Sequence, residues 1–439
     1  MPLDPALAPV FPRTAVVSPQ GRLVIGGCDT VALAREFGTP LYLFDETELR
    51  ENCREWLHEF RSRHPETAVV YAAKAYLGRA LAQLIAEEGL GLDVASGGEL
   101  AIALAAGFPA ERIYFHGNNK SRREIEEAVE AGLGCVVVDN LHEAAMLNEI
   151  AVAAGRRQRA LLRVSPNIDP HTHRYISTGA LDSKFGVAIG TGQAEEAATE
   201  LLAAPGIELL GFHVHIGSQI MELEPHAEAC RELVRFAAAM KARHGFEARV
   251  LSAGGGFAIQ YVRDTAPPSK AQYAEAVVSA VKEGCDEHGL PAPRLTVEPG
   301  RSIAGRAGVA LYGVGARKEI PGVRTYVAVD GGMADNIRPA LYQARYEAVV
   351  ASRMNDAAEE RVTVAGKYCE SGDVLIRDID LPKLWADDIL AVPGAGAYCL
   401  PMASNYNAAL KPPVLFVREG KARLVRRRET YEDVLRCET

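Results

Sequence analysis

From about residue 67 to 300 the chain alternates short apolar runs with longer amphipathic stretches. The short runs are 68–74, 91–94, 112–116, 135–139, 160–164, 207–215, 248–252 and 294–298. Each is rich in β-branched, aromatic and small apolar residues and is bounded by turn formers, which predicts buried strands. Between them lie 79–88, 121–131, 141–154, 194–203, 224–244 and 271–288, where apolar residues recur at helical spacing. Strands alternating with helices over this length predict an α/β fold, a (β/α)8 barrel of the TIM type. A doubly wound open sheet fits the same alternation and is the structural alternative.

The flanks follow another rhythm. Residues 1–42 contain strand-like pieces such as Leu23-Val24-Ile25, and 306–439 hold alternating runs at 309–314, 325–329, 361–364, 389–392 and 414–417. Together they predict a β-rich, sandwich- or barrel-like second domain built from both chain ends, with the barrel over 43–305. There is no repeat, low-complexity tract or long flexible linker. One connection, 165–190, is long for a compact domain, and such loops are often functional lids.

Composition narrows the class. The chain has 439 residues, 48% hydrophobic, enough for two cores, and a net charge of −9 from 48 basic and 57 acidic residues. No basic block stands out, which argues against nucleic acid and anionic membranes as partners. The start, Met1-Pro2-Leu3-Asp4-Pro5, lacks a signal-peptide pattern, and no apolar run reaches membrane-span length. The eight cysteines are scattered without CxxC spacing, so neither a disulfide framework nor a zinc knuckle is expected. The expectation is a reduced, cytoplasmic protein.

A barrel gathers its chemistry at the C-terminal ends of its strands. Here those ends carry Lys74, Asp93, His116, Asp139, Arg163, His213 with His215, the glycines Gly254-Gly255-Gly256, and Glu298. Inert strands also exit into water through polar residues, but this mixture of base, acid, imidazole and glycine loop is not what that alone predicts.

Lys74 closes an otherwise apolar strand. Burial there would favour its neutral amine, the form needed for Schiff-base chemistry with an aldehyde cofactor; a lysine snorkelling into water is the plain alternative. The glycine triplet suits either close backbone approach to a phosphate or a tight turn. Glu298 can pair with a protonated ring nitrogen, or form a surface pair with Arg301. His213 and His215 fall on one strand face. Zinc would suit them, yet no third ligand sits at a recognisable spacing; an imidazole lying flat on an aromatic cofactor is the better use, with His213 also readable as a core histidine. No metal is expected. Arg338 can clamp a substrate carboxylate with a bidentate fork, or cap the turn of Asp330–Pro339 by pairing with an aspartate. Cys369 lies beside two carboxylates in the loop Lys367-Tyr368-Cys369-Glu370-Ser371-Gly372-Asp373; it reads as a proton donor held protonated by those charges, or as a small buried hydrophobe.

Taken in order, Tyr71-Ala72-Ala73-Lys74, Phe212-His213-Val214-His215-Ile216-Gly217-Ser218-Gln219, Gly254-Gly255-Gly256, Glu298-Pro299-Gly300-Arg301, the 330–342 segment, the 367–373 loop and Gly396-Ala397-Tyr398 resemble the diaminopimelate decarboxylase family. That family belongs with the barrel-type (fold type III) pyridoxal-phosphate amino-acid decarboxylases. The resemblance spans nearly the whole chain.

It implies pyridoxal 5'-phosphate joined to Lys74, with Glu298 on the ring nitrogen, His215 stacked on the ring and His213 behind it. Asp93 and Arg163 would lie near the ring. Ser218, Gly255, Gly256, Gly300 and Tyr398 would hold the phosphate or its surroundings. Arg301, Arg338 and Tyr342 would bind the distal carboxylate of the substrate; Glu370, with Ser371 beside it, would receive the distal ammonium, and Cys369 would face the reacting carbon. The Cys369–Glu370 loop would come from the second subunit of a homodimer. Two positions depart from the family: Tyr76, where many relatives carry asparagine, and Tyr368, where histidine is frequent. The implied reaction is decarboxylation of meso-2,6-diaminopimelate to L-lysine and carbon dioxide, the last step of lysine biosynthesis. The alternatives are decarboxylation of ornithine, lysine, arginine or carboxynorspermidine, an alanine-racemase-like activity, and a catalytically decayed regulatory homologue.

Overall fold

The computed structural model describes residues 1–166, 168 and 183–439. Much of the 165–190 connection, and with it the lid expectation, lies outside the described residues. The described chain forms two compact units. One comprises 52–258 and 267–300; the other comprises 1–51, 259–266 and 301–439.

The first unit is a closed barrel of eight parallel strands: Thr67–Ala72, Gly91–Val94, Ile113–Phe115, Cys135–Val138, Gln158–Ser165, Ile207–His213, Val250–Ser252 and Arg294–Val297. The eighth strand returns to the first, with Leu295 opposite Thr67 and Val297 opposite Val69. This closure excludes the open sheet. Alternation drives the fold, because each strand is too apolar to expose either face and its following helix covers the outside. The helices Arg122–Ala131 and Lys270–His288 start at Ser121 and Ser269, each in a reciprocal capping box; such caps stabilise by about 1 kcal/mol each.

One helix of the unit, Gly97–Ala105, is not apparent in the hydrophobic pattern. It opens on two glycines and is apolar nearly all round, so no amphipathic stripe announces it. Its start is fixed instead by Ser96, whose hydroxyl accepts from the Glu99 N–H.

An aromatic cluster supports the glycine loop. Phe257, directly after Gly256, packs 4.6 Å from Trp56, 5.1 Å from the stacked His226 ring and 5.2 Å from Tyr273. Tyr273 donates its hydroxyl to the Ile220 carbonyl at 2.6 Å, which ties the loop after the sixth strand to the helix Lys270–His288. Deleting a buried ring of this kind costs about 3–5 kcal/mol.

The second unit is a mixed β-sheet from both chain ends. Its order is Val374–Leu381, Glu360–Ala365, Arg324–Val329, Gly308–Ile320, Leu41–Asp45, Val414–Arg418 and Lys421–Arg426. Leu41–Asp45 joins the ends, running antiparallel to Gly308–Ile320 and parallel to Val414–Arg418. Among the described residues, no helix is long and apolar enough to cross a membrane.

Candidate active site

The strand ends of the barrel carry the groups that its topology predicts. Lys74 lies just past the first strand, in the single turn Ala73–Ala75 rather than in the strand itself. Ala73 and Ala75 are buried, whereas Lys74 is exposed. The argument that burial keeps its amine neutral therefore fails. What the position does provide is charge coupling, since the Lys74 ammonium acts on Asp93, Glu99, His116 and His215.

Glu298 is the most constrained group of the site. It is buried. Its Oε1 accepts from the Ser252 hydroxyl at 2.9 Å and its Oε2 lies 3.1 Å from His213 Nε2. His116 Nε2 stands 3.6 Å from Glu298 Oε1 and 3.8 Å from Asp93 Oδ1. Burial alone would push this carboxyl up; the His213 imidazole, which also hydrogen-bonds it, outweighs burial and holds Glu298 well below the usual carboxylate range. Asp93 goes the other way, raised by burial, against the pull of Lys74 and with the Glu298 charge adding to the rise. Burial also keeps the His116 ring neutral, well below the usual histidine range. Two carboxyls in one site are thus pushed in opposite directions, a common arrangement in acid–base chemistry.

The fold does not complete the His213–His215 pair as a metal site; it groups a different donor set without His215. His116, His213 and Glu298 bring a donor atom each to within 4.8 Å of one another. His116, Asp139 and Ser252 also join the site without having been assigned a role. The first two were visible as polar strand ends. Ser252, a small hydroxyl inside an apolar strand, gives no signal until Glu298 is placed against it.

His213 ends the sixth strand, so His215 lies beyond it in the loop rather than on the same strand face. His215 Nδ1 accepts the Gly255 N–H at 3.1 Å, which leaves the ring proton on Nε2. Burial and then the Lys74 and Arg163 charges hold this imidazole well below its usual range. The loop continues through half-buried Ser218 to Ile220, whose N–H bonds the Gly256 carbonyl at 2.9 Å. A Cβ at Gly255 would strike the Glu298 carbonyl, so this glycine is required by close packing of the two loops as well as by access for a ligand. Gly300 likewise leaves room only for Ala72, two residues before Lys74. Arg163 stands 3.9 Å from Asp139 Oδ1, with its guanidinium 4.4 Å from the Phe185 ring centre.

The remaining predicted residues belong to the β-rich unit. Arg338 opens the short helix Arg338–Tyr342, which also carries half-buried Tyr342. Among the described residues no aspartate caps it: Asp335 instead accepts from the hydroxyls of Tyr42 at 3.1 Å and Tyr312 at 2.5 Å. Arg301 and Arg338 are both buried and both lie against tyrosine rings, including Tyr398 and, unexpectedly, Tyr261. Among the described residues, no carboxylate pairs with Arg338, and its Nε has no hydrogen-bond partner.

Cys369, Glu370 and Ser371 are exposed at the tip of their loop, which excludes the buried-hydrophobe reading of the thiol. Asp373 is not beside that thiol. It is buried and accepts the N–H groups of Met333 and Tyr368 at 2.7 and 2.8 Å. Tyr406 donates its hydroxyl to the Cys369 carbonyl at 2.9 Å, so the tip is held by its backbone with its side chains outward.

Comparison with known proteins decides the family. Residues 46–305 match the family described as pyridoxal-dependent decarboxylase, pyridoxal binding domain. The diaminopimelate decarboxylase of Bacillus subtilis is 49% identical over 418 residues, 95% of each chain. The chain belongs to the diaminopimelate decarboxylase family. The solved structure of the M. jannaschii diaminopimelate decarboxylase in complex with L-lysine superposes with a TM-score of 0.91, at 35% identity and over 98% of both chains. That of the Helicobacter pylori enzyme, also with L-lysine, gives 0.86 at 32% identity over 93% of this chain and 99% of that one.

A diaminopimelate decarboxylase of this family uses pyridoxal phosphate, and the barrel mouth fits it. An amine, a clamped carboxylate and a neutral imidazole are grouped there. Asp93 Oδ2, His116 Nε2 and Asp139 Oδ1 are buried without hydrogen-bond partners among the described residues. Buried polar atoms of this kind call for a ligand or water to satisfy them.

Proposed function

We propose that the chain catalyses the pyridoxal-phosphate-dependent decarboxylation of meso-2,6-diaminopimelate to L-lysine and carbon dioxide, the last step of lysine biosynthesis. When bound, the cofactor supplies an aldehyde carbon for an amine and a ring that takes up the electrons left as carbon dioxide departs. Lys74 is the amine that holds it. Glu298, kept ionised by its clamp, holds a proton on the ring nitrogen and so keeps the ring electron-poor. His215 would cover the ring face with a neutral imidazole, while His213 fixes Glu298 from behind. Asp93 and Arg163 would flank the ring. Ser218, Gly255, Gly256, Gly300 and Tyr398 would bound the phosphate end.

The observation that carries the choice of substrate is Arg338, a buried guanidinium held by tyrosines and paired with no carboxylate among the described residues. With Arg301 and Tyr342 it receives the carboxylate at the end of the substrate that does not react. Glu370 and Ser371 take the neighbouring ammonium, and Cys369 or a water returns the proton to the reacting carbon. These three residues act in the site of a second subunit, so the working unit is a twofold dimer. Ornithine and lysine offer no distal carboxylate, so the arginines would select against them.

The test is carbon dioxide release from meso-diaminopimelate, L-lysine, L-ornithine, L-arginine and carboxynorspermidine. Preferential release from meso-diaminopimelate is expected; equal turnover of L-ornithine, or no turnover at all, rejects the reading. The shared site is tested by mixing inactive Lys74→Ala and Cys369→Ala chains. Random re-pairing restores up to about a quarter of the activity, and demonstrated heterodimers without recovery reject composite sites.

A further inference from the structure

Five side chains of the β-rich unit form an alternating row of rings and cations: Tyr398, Arg301, Tyr261, Arg338 and Tyr346. The Arg301 guanidinium lies 4.5 Å from the centre of the Tyr398 ring and 5.6 Å from that of Tyr261. The Arg338 guanidinium lies 4.6 Å from Tyr261 and 5.4 Å from Tyr346. The Tyr261 and Tyr346 rings meet nearly edge to face, 5.4 Å apart at 80°. Each arginine also donates Nη1 to a hydroxyl of the row, Arg301 to Tyr261 and Arg338 to Tyr346. Tyr261 is the ring that both cations share.

The two arginines are only 6% and 5% exposed. Burying like charges side by side is costly, and the usual remedy is a carboxylate between them. A carboxylate would also end their use, because it would occupy the donors that a ligand needs. A tyrosine face attracts a cation without neutralising it. The row thereby holds two guanidiniums in place, and that of Arg338 meets no carboxylate among the described residues, so its positive charge stays available. Tyr261 comes from the short segment 259–266, which follows the glycine loop in sequence but belongs to the β-rich unit.

We infer that Tyr261 is a specificity-determining positioning residue: its ring holds Arg301 and Arg338 as a pair that together receive one carboxylate of the ligand. The inference rests on the reading of the arginines as the distal-carboxylate site and names what makes that site work. It predicts that the ring face matters more than the hydroxyl, since both cations lie against the ring and the hydroxyl bonds only Arg301.

The experiment measures equilibrium binding of L-lysine and cadaverine to the cofactor-loaded enzyme. Cadaverine is the same diamine without the carboxylate, so the ratio of the two dissociation constants isolates carboxylate recognition from folding and cofactor content. Tyr261→Met fills space without a π face. It should lower the preference for L-lysine at least tenfold while leaving cadaverine within twofold, and should raise KM for meso-diaminopimelate more than it lowers kcat. Tyr261→Phe should keep the preference within threefold. A Met variant with its preference intact, or equal weakening of both ligands, overturns the role. So does a Phe variant that loses more than threefold, which keeps the test decisive should the Met variant fail to fold. Arg338→Met separates the two levels of argument. If it loses the preference and Tyr261→Met does not, only the role of Tyr261 falls; if Arg338→Met keeps the preference, the distal-carboxylate reading falls and the role of Tyr261 with it.

Discussion

At the barrel mouth, carboxylates face imidazoles; in the β-rich unit, arginines face tyrosines. Both regions bury charge, but they settle it differently. Glu298 is stabilised by short-range partners, Ser252 at 2.9 Å and His213 at 3.1 Å, that fix its charge in one place. Arg338 is surrounded by polarisable rings and, among the described residues, by no carboxylate that would cancel its charge. The first arrangement suits a group that must hold one proton on a ring through a reaction. The second suits a group whose partner arrives with the substrate. A buried cation without an acid is therefore as informative about a ligand as a perturbed carboxyl.

The largest expected effect comes from the mouth. Lys74→Ala removes the amine proposed to hold the cofactor and should lower kcat/KM by about 10⁴-fold or more. In the unaltered enzyme, borohydride reduction followed by peptide mapping should place the cofactor on Lys74. A label on another lysine would break the barrel-mouth assignment while leaving the arginine row untouched.

Next is Arg338→Met. Removing one partner of a closed, bidentate charge contact costs about 2–5 kcal/mol. The kcat/KM for meso-diaminopimelate should fall roughly 30-fold or more, with much less effect on residual turnover of L-lysine and an unchanged cofactor spectrum. Loss of the cofactor, or equal loss on both substrates, would mean that the arginine is structural.

Two buried groups, one in each unit, should also answer pH with opposite signs. Burial holds His226 in the barrel down at about 4, against an unfolded value near 6.5. Its contribution is present above pH 6.5 and is lost as pH falls toward 4, at about 1.4 kcal/mol per pH unit and so about 3 kcal/mol in all. Asp335 in the β-rich unit is raised by burial from 3.8 to about 6, although its bonds from Tyr312 and Gly332 pull the other way. Its contribution is full below pH 3.8 and is lost as pH rises through 6, again by about 3 kcal/mol. Urea midpoints between pH 4 and 7 should therefore flatten on the acid side in His226→Leu and change in the opposite sense in Asp335→Asn. Parallel shifts in the two variants would remove this distinction between the two groups.

The contrast also explains what the sequence revealed. The barrel was legible because eight apolar runs alternate with helices, and its chemistry sits at strand ends, a fixed place in the pattern. Lys74, Asp93, Arg163, His213 and Glu298 were singled out that way. Burial of Lys74 was misjudged because a turn, Ala73–Ala75, lifts it out of the strand. The arginine row had no such frame. Its members come from 261, 301, 338, 346 and 398, in loops and short helices that only the fold brings together. Arg301 and Arg338 were visible within dense motifs, whereas Tyr261 and Tyr346 are ordinary tyrosines until their neighbours are known. Strand Val374–Leu381 was missed for a related reason: its charged residues, Arg377, Asp378 and Asp380, interrupt the apolar pattern.

The smallest effect is the finest test of how the mouth holds its charge. The Ser252 hydroxyl donates to Glu298 Oε1 at 2.9 Å and is approached by the Gly254 N–H at 3.3 Å, so it links the carboxylate to the start of the glycine loop. A hydrogen bond to a charged group is worth about 1.5–3 kcal/mol, and its loss leaves a buried acceptor short of a donor. Ser252→Ala should thus lower kcat/KM roughly tenfold and weaken cofactor affinity measured on the reconstituted apoenzyme, with little change in circular dichroism. Its effect on the ratio of L-lysine to cadaverine binding should be negligible, because the arginine row does not involve Ser252. If the variant binds cofactor and turns over like the unaltered enzyme, His213 alone suffices to hold Glu298. If instead the L-lysine preference falls with the cofactor affinity, the two regions are coupled and the separation drawn between a fixed charge and a waiting one no longer stands.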